Sequence, residues 1–404
     1  MSGFHNLSRS FCTALLSSGA LALCSASAPA SAEPTAFHNL SSDSSIRVGG
    51  VIDMTFMGQK ADGMKHTFEM SSNQDETSRI FMRGRENLSN GNYLRFLLQS
   101  SFAPDTGNFY NQGVFFGQSM VALGGNWGEF ALGRIGAMKS PNGDYSQFFE
   151  FGGISPIHGN FPYGGVGYTF LTDGYLNNAL VYKSPEVGPF RFGLQYSNGT
   201  MDETGEFGND NKLLTFATRY KFGNLRGGLM LTWQTHGQQE GNQNAKINDT
   251  YDLFFAVNYR FPKYALKLAY QYVYDGFGPG PFLNWSHFGL KPTNGRGFDT
   301  QALMLGIEFF PTGADSIGFA LQGNRTEYKG NSPAADDGDT TGWRINPALI
   351  WRHKLSKHLA VYSAVTWSHG TGVYDRIDNS NPNRSTRFDR VNVTTYGAGM
   401  TYFF

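Results

Sequence analysis

The feature that most constrains this chain is an alternation of apolar and polar residues with period two, which recurs from about residue 46 to the last residue. Successive side chains of a β-strand point to opposite faces, so a segment of this kind meets something greasy on one side and something wet on the other. From Tyr264, the residues Tyr264, Leu266, Leu268, Tyr270 and Tyr272 share one face, and Ala265, Lys267, Ala269 and Gln271 the other. Phe190, Phe192, Leu194 and Tyr196 oppose Arg191, Gly193, Gln195 and Ser197 in the same way. Leu253, Phe255, Val257 and Tyr259 oppose Ala256, Asn258 and Arg260. The wet face carries charge and small residues.

Strands are expected to start near Ile46, Thr77, Asn92, Val114, Gly128, Asn177, Pro189, Lys212, Leu225, Tyr251, Tyr264, Asp299, Ser316, Arg344, His358 and Val391, sixteen in all. Short turns (Ser89 to Gly91, Gly124 to Trp127, Lys221 to Asn224, Phe261 to Lys263) alternate with long polar loops (Gly58 to Glu76, Asp275 to Gly297, Gly370 to Arg390). That asymmetry is the mark of an outer-membrane barrel, with short periplasmic turns and long outer loops. An even count puts both termini on the periplasmic side and lets the last strand close on the first. Closure matters because an unpaired backbone group facing hydrocarbon costs several kcal/mol. A soluble all-β sandwich would show the same alternation. Aromatic residues at strand ends, Tyr220, Trp233, Tyr259, Tyr272, Trp351 and Trp367, fit the interfacial girdles of a barrel better. The fold class expected is therefore all-β, a 16-stranded antiparallel transmembrane β-barrel.

Composition agrees. The chain has 51 glycines, 35 phenylalanines and 20 tyrosines, with only 16% charged residues, against roughly 25% charged in an average soluble protein. Its mean hydropathy of -0.35 is ordinary because a barrel needs only alternate residues to be apolar. Beyond residue 33 nothing resembles a membrane helix of about 20 apolar residues. Residues 1–32 read as a secretory signal: His5 and Arg9 near the start, an apolar stretch around Ala14 to Leu23, and Ala30-Ser31-Ala32 as the cleavage site. A lipoprotein signal at Cys24 is disfavoured by Leu23, where a small residue is expected. The remaining 33–404 form one barrel domain. Both cysteines, Cys12 and Cys24, lie in the leader. Its removal takes away Arg9 and no acid, which leaves 31 basic residues against 32 acidic ones, and nothing in this balance points to nucleic acid.

Several segments carry a family resemblance. SRIFMRGRENL (Ser78 to Leu88) resembles the second strand and turn of the Gram-negative general-diffusion porins, which typically run Ser-Arg-Leu-Gly-Phe-Lys-Gly-x-Glu-Asp-Leu. QSMVALGGNWGEFALGR (Gln118 to Arg134) is similar to their fourth and fifth strands, and NNALVYKSPEVGPF (Asn177 to Phe190) to their sixth strand and the turn into the seventh. EFGG (Glu150 to Gly153) matches the tip of the family's third loop, which folds into the barrel and narrows it. The matches concentrate in residues 46 to 197 and at the C-terminus; residues 198 to 390 rest on alternation alone. The final strand sets Tyr396, Ala398, Met400, Tyr402 and Phe404 on one face. Its ending, with Tyr402 and Phe404, resembles the signal read by the outer-membrane assembly machinery. The resemblance implies a homotrimer in the cell outer membrane that passes small hydrophilic solutes and ions, with outer-membrane lipid around it.

A barrel of about sixteen strands leaves an aqueous channel, so selectivity comes from whatever narrows it. The connection from Ile135 to Leu176 is far longer than a hairpin loop, and connections beyond about 15 residues are usually functional or disordered. Its content of Phe148, Phe149, Phe151, Gly152, Gly153, Phe161, Tyr163 and Gly164 argues for a packed loop, read as an inward-folded third loop. There Glu150 matches the family's constriction glutamate. Asp144 is a candidate second acid, and Ser146 stands where the family usually carries one. On the facing wall Arg79 matches a family arginine, and it shares a face with Phe81, Arg83 and Arg85, opposite Ile80 and Met82. Arg83 and Arg85 lie near the turn, where lining the pore and being solvated at the rim are both open. Arg95 shares its face with Gln99 and is expected to line the lumen, whereas the direction of Arg134 is open. Gly117 and Tyr175 occupy positions where the resemblance implies arginines. The balance is therefore expected to tilt away from anions, to weak cation preference or none.

No metal or cofactor is expected. An enzyme built on a barrel would need a nucleophile beside a histidine, and the nine histidines show neither a Gly-x-Ser-x-Gly pairing nor a His-Glu-x-x-His helix. A substrate-specific porin remains the alternative within transport, although neither an aromatic file nor a run of lumenal lysines is evident. The leader assignment is directly testable. Mass spectrometry of outer membranes is expected to find a chain starting at Glu33 with no disulfide, and an intact leader in the membrane-resident protein would contradict it.

Overall fold

A computed structural model of the chain describes residues 44–62, 65–110, 113–141, 143–148, 155–157, 161–162, 164–198, 211–236, 248–276, 295–330, 340–374 and 392–404. The expected leader, residues 1–32, lies outside these. The strands are β1 (Ser45–Ala61), β2 (Thr67–Ser72), β3 (Arg79–Asn87), β4 (Tyr93–Ala103), β5 (Asn108–Phe109), β6 (Gln118–Gly125), β7 (Gly128–Gly136), β8 (Tyr175–Lys183) and β9 (Phe190–Asn198). They continue as β10 (Lys212–Phe222), β11 (Leu225–Thr235), β12 (Thr250–Arg260), β13 (Tyr264–Gly276), β14 (Phe298–Phe309), β15 (Asp315–Tyr328), β16 (Thr341–Lys354), β17 (Leu359–Gly370) and β18 (Asn392–Phe403). Sixteen of them are staves of a closed antiparallel barrel, each paired to its sequence neighbours. β2 and β5 are short additions at the long-loop end.

Each stave obeys the alternation. In β14 the residues Leu303, Leu305 and Ile307 are 43–46% exposed, while the alternate residues Ala302 and Met304 are 2% and 0% exposed. The exposed face is the lipid face, and the other points inward. Aromatic rings lie over glycines on the partner strand on both faces: on the inward face a Cβ on Gly124 would meet Tyr93 Cζ at 2.2 Å, and on the lipid face one on Gly84 would meet Phe96 Cε1 at 2.2 Å. Both are direct cross-strand pairs. Only glycine lets the ring lie flat there, which accounts for the joint excess of glycine and aromatic residues. At the short-turn end, Asn90 and Gly91 (φ 61° and 75°) make the turn between β3 and β4, and Gly223 (φ 55°) the turn between β10 and β11. These left-handed positions are where glycine and asparagine are tolerated.

The expected strand starts hold to within a few residues, with one correction at the first long loop. The stretch from Gly58 to Glu76 is largely strand: β1 runs on to Ala61, and β2 pairs back with it from Gln59↔Thr67 to Met54↔Ser72. Its polar residues His66 and Glu69 hide a two-residue alternation of Phe68 and Met70, which are 63% and 51% exposed beside Phe56.

The barrel closes between β1 and β18 over Val51↔Phe403 to Ala61↔Val393. Phe404 extends the seam by one residue, with Gly50 N–H donating to Phe404 O (3.0 Å) and Phe404 N–H to Gly50 O (3.1 Å). Its ring covers Gly50, where a Cβ would lie 2.4 Å from Phe404 Cζ. Deleting Phe404 removes both bonds and the ring, so a severalfold fall in the folded band on unheated gels of outer membranes is expected. Wild-type levels of that band would show that the last residue is dispensable for closure.

Candidate functional site

The connection between β7 and β8 is tied to the inward face of much of the wall. Met138 N–H donates to Gln195 Oε1 of β9 (2.8 Å), and Leu171 exchanges two bonds with the Gln271 amide of β13 (2.7 and 2.8 Å). Thr169 Oγ1 donates to Gln322 of β15, whose amide donates to Gly164 O (2.9 and 2.6 Å). Further along, Thr366 of β17 donates to Pro162 O (2.7 Å), Arg344 of β16 to Tyr168 O, and Lys267 of β13 to Ser155 O (3.3 Å). Apolar packing adds to this: Ile157 and Phe161 bury against Ala320, Ala348 and Ile350, and Phe170 meets Phe254 edge-on with centroids 5.6 Å apart.

Two ion clusters, one buried and one half-exposed, anchor the same connection. Lys139 Nζ bonds Asp252 of β12 and lies 3.1 Å from Asp173, the residue pairing the loop's start with its end. Burial by itself would lower the lysine's pKa, but the two carboxylates outweigh it and raise the group above the ordinary lysine range. The second cluster joins Arg95 of β4 to Glu129 of β7 through two parallel bonds (2.8 and 2.7 Å). Asp144 of the loop adds to it at 2.7 Å, and Lys183 of β8 reaches Glu129 at 3.2 Å. Tyr145 of the loop also donates to Glu129 (2.7 Å). Two cations and two anions here cancel.

The sequence candidates therefore separate. Arg95 and Asp144 come together as a salt bridge. Arg79 lies 3.3 Å from Glu76 and donates to Thr77 O (2.8 Å). Arg83 and Arg85 face inward beside it, Arg85 over the Tyr93 ring at 3.7 Å. Arg134 donates to Phe116 O (2.6 Å) and to Asn177. Tyr175 accepts from Gln99 (3.1 Å). Glu150 lies outside the described residues. Tyr402 and Phe404 are exposed on the lipid face at the seam.

Sequence reasoning set Arg260 and Lys267 on the wet face without making them site candidates, and it missed Arg47, Lys183, Arg219 and Arg226. One cavity of about 490 Å³ is lined by Arg47, Arg79, Arg83, Arg85 and Arg95 against the single acid Asp144. A second of about 800 Å³ is lined by Arg95, Lys183, Arg219, Arg226, Arg260 and Lys267 against Asp144 and Glu308. Among the described residues, no carboxylate lies within ion-pair distance of Arg47, Arg83, Arg85, Arg226 or Arg260. The signal was present in the alternation, which puts Arg226 on the face of Gly228 and Met230, and Arg260 on that of Asn258. Glu129 was readable the same way, between the lipid-facing flank and Ala131. Lys139 and Asp173 carried no such signal, since they belong to no strand.

A closed sixteen-stave barrel with an apolar exterior and a charged, water-accessible interior defines a membrane channel. The chain matches the family model of the Gram-negative porins over residues 19–373. It belongs to that family, whose members are outer-membrane channels for passive diffusion. It is 26% identical over 295 residues to an outer membrane porin protein of Bordetella pertussis, covering 66% of this chain and 74% of that one. Among solved structures, an anion-selective porin from Comamonas acidovorans superposes with TM-score 0.64 at 20% identity, over 89% of this chain and 100% of its own. The trimer form of OmpT from Vibrio cholerae does so with TM-score 0.60 at 14% identity, over 89% and 99%.

The Lys139 cluster yields a quantitative expectation. Lys139→Met leaves Asp173 and Asp252 without their cation and should cost about 3–5 kcal/mol, read from guanidinium unfolding of the purified barrel. Lys139→Met with Asp252→Leu should recover most of it. Equal stability of the single variant and wild type would refute the anchoring role.

Proposed function

We propose that this porin passes small hydrophilic solutes and ions with a preference for anions, and that the β7–β8 connection is its constriction. The observation carrying the preference is the unbalanced lining: ten arginines and lysines over the two cavities, Arg95 being shared, against Asp144 and Glu308. Some of this charge is neutralised nearby, Arg95 and Lys183 by Glu129, Arg219 by Glu186 (2.8 Å) and Lys267 by Glu308 (2.8 Å). Five arginines keep no carboxylate partner among the described residues. They cluster at the short-turn end, so their fields add over a Debye length of about 8 Å at physiological salt.

The motif positions Gly117 and Tyr175 argued for the opposite tilt. That argument weighed only the places where the resemblance implies arginines, and the lining from β8 to β13 outweighs them. The name of the Comamonas acidovorans neighbour agrees with an anion preference. For the constriction, support comes from the bonds running from β9 round to β17, which hold the connection against the lumenal wall. Arg79, Arg83, Arg95 and Asp144 border the same space, and Glu150 joins them by resemblance.

The same reading takes residues 1–32 as a cleaved leader, Tyr402 and Phe404 as the assembly signal, and the working unit as a homotrimer, as in the OmpT neighbour. It assigns no catalytic activity. Planar-bilayer recording of the purified protein tests it: single-channel steps and a chloride-side reversal potential across a potassium chloride gradient are expected. Arg226→Gln with Arg260→Gln should move that potential toward potassium. A wild-type potential on the potassium side would refute the anion preference.

A further inference from the structure

The register between β1 and its neighbour breaks in the middle of the wall. Met54 pairs with Ser72 and Val51 with Arg79, so residues 73–78 stand opposite Ile52 and Asp53 alone. The excess is even, which lets the inward and outward alternation resume in phase at Arg79. An ordinary bulge that re-aims or twists a strand needs one extra residue. An excursion this large has to leave the wall.

It leaves on the lumenal side. Asp53 faces inward with Thr55, and its Oδ1 accepts the backbone N–H groups of Gln74 (2.7 Å) and Asp75 (3.3 Å). Its own N–H donates to Ser78 Oγ (2.9 Å). Thr401 of β18 and Tyr362 of β17, both inward-facing, donate to the same carboxylate (2.7 and 3.1 Å). At the tip, Arg352 of β16 donates through Nε to Asp75 Oδ1 (2.9 Å) and through Nη1 to Pro156 O (2.8 Å). One guanidinium thus ties the excursion to the long connection. Gln74, Asp75, Thr77 and Ser78 are all buried. Glu76 is the exception: its side chain keeps 28% exposure and lies 3.3 Å from Nη1 of Arg79, which lines the basic cavity.

We propose that residues 73–78 form a second narrowing of the channel, carried by the wall, and that Glu76 is a specificity-determining residue in it. Its carboxylate offsets Arg79 and sets how strongly the basic lining favours small anions. Asp53 and Arg352 fix the excursion that carries this one carboxylate. The inference rests on the channel reading above, and it adds an acid that neither the third loop nor any sequence motif supplies.

The test is bilayer reversal potential with wild type, Glu76→Gln and Glu76→Cys. The chain's two cysteines, Cys12 and Cys24, precede residue 33, so a thiol at this position is chemically addressable by itself. Glu76→Gln should raise the chloride-to-potassium permeability ratio about twofold, the size expected for removing a unit charge a few ångströms from the ion path in salt water. On Glu76→Cys, a cationic methanethiosulfonate reagent should raise the ratio, an anionic one should lower it, and either should reduce conductance. If both variants conduct like wild type and neither ratio nor conductance responds, Glu76 is outside the ion path and the inference falls. Absence of channels from wild type itself would instead strike the channel reading.

Discussion

The structure depends on one constraint: no backbone N–H or C=O of a stave may face hydrocarbon without a partner. In lipid, only a helix or a closed barrel satisfies it. Here closure falls on β1, which pairs with β18 on one edge and with β2 and then β3 on the other. Once that ladder is complete, hydrophobicity has a single task, to cover the outer face, and alternate positions suffice. This is why a chain with so many polar residues can be a membrane protein. The inner face is left free for charge.

That freedom raises a second problem, since the long β7–β8 connection has to be held against a wall whose inner face is largely polar. The chain answers with directed polar contacts to the wall and two ion clusters, the buried one of Lys139 with Asp173 and Asp252, and the half-exposed one of Arg95 and Lys183 with Glu129 and Asp144. Buried ion pairs contribute little net stability, because desolvation offsets the attraction. Their directionality fixes position instead, and a misplaced partner would be expensive. The apolar contacts of Phe161 and Phe170 pack the same connection against the wall.

The fold was legible because period two is a local signal repeated sixteen times, and errors at one strand do not spread to the next. β2 escaped because its alternation is short and flanked by polar residues. Much less of the site was legible. Arg79 and Arg95 were correctly placed on the inward face, yet whether such a group is free or paired depends on residues far away in sequence. Arg95 finds Glu129, 34 residues on, and Lys139 finds Asp252, 113 residues on. The excursion at residues 73–78 was invisible, since nothing in SNQDETS distinguishes an inward detour from an outer loop. Only the register does.

Pairing is also what separates charges that build the channel from charges that tune it. A guanidinium held between two carboxylates, as Arg95 is, presents almost no net field to a passing ion, whatever motif position it fills. An arginine without a carboxylate partner, such as Arg226 or Arg260 at the turn end, acts at nearly its full charge in water and remains screened only by salt. Residue matching by motif weights the two kinds equally, and so it does not give the lining's net charge. The relevant quantity is the charge left over after the wall has paired its own groups, and among the described residues the arginines at the short-turn end are the part that no carboxylate pairs.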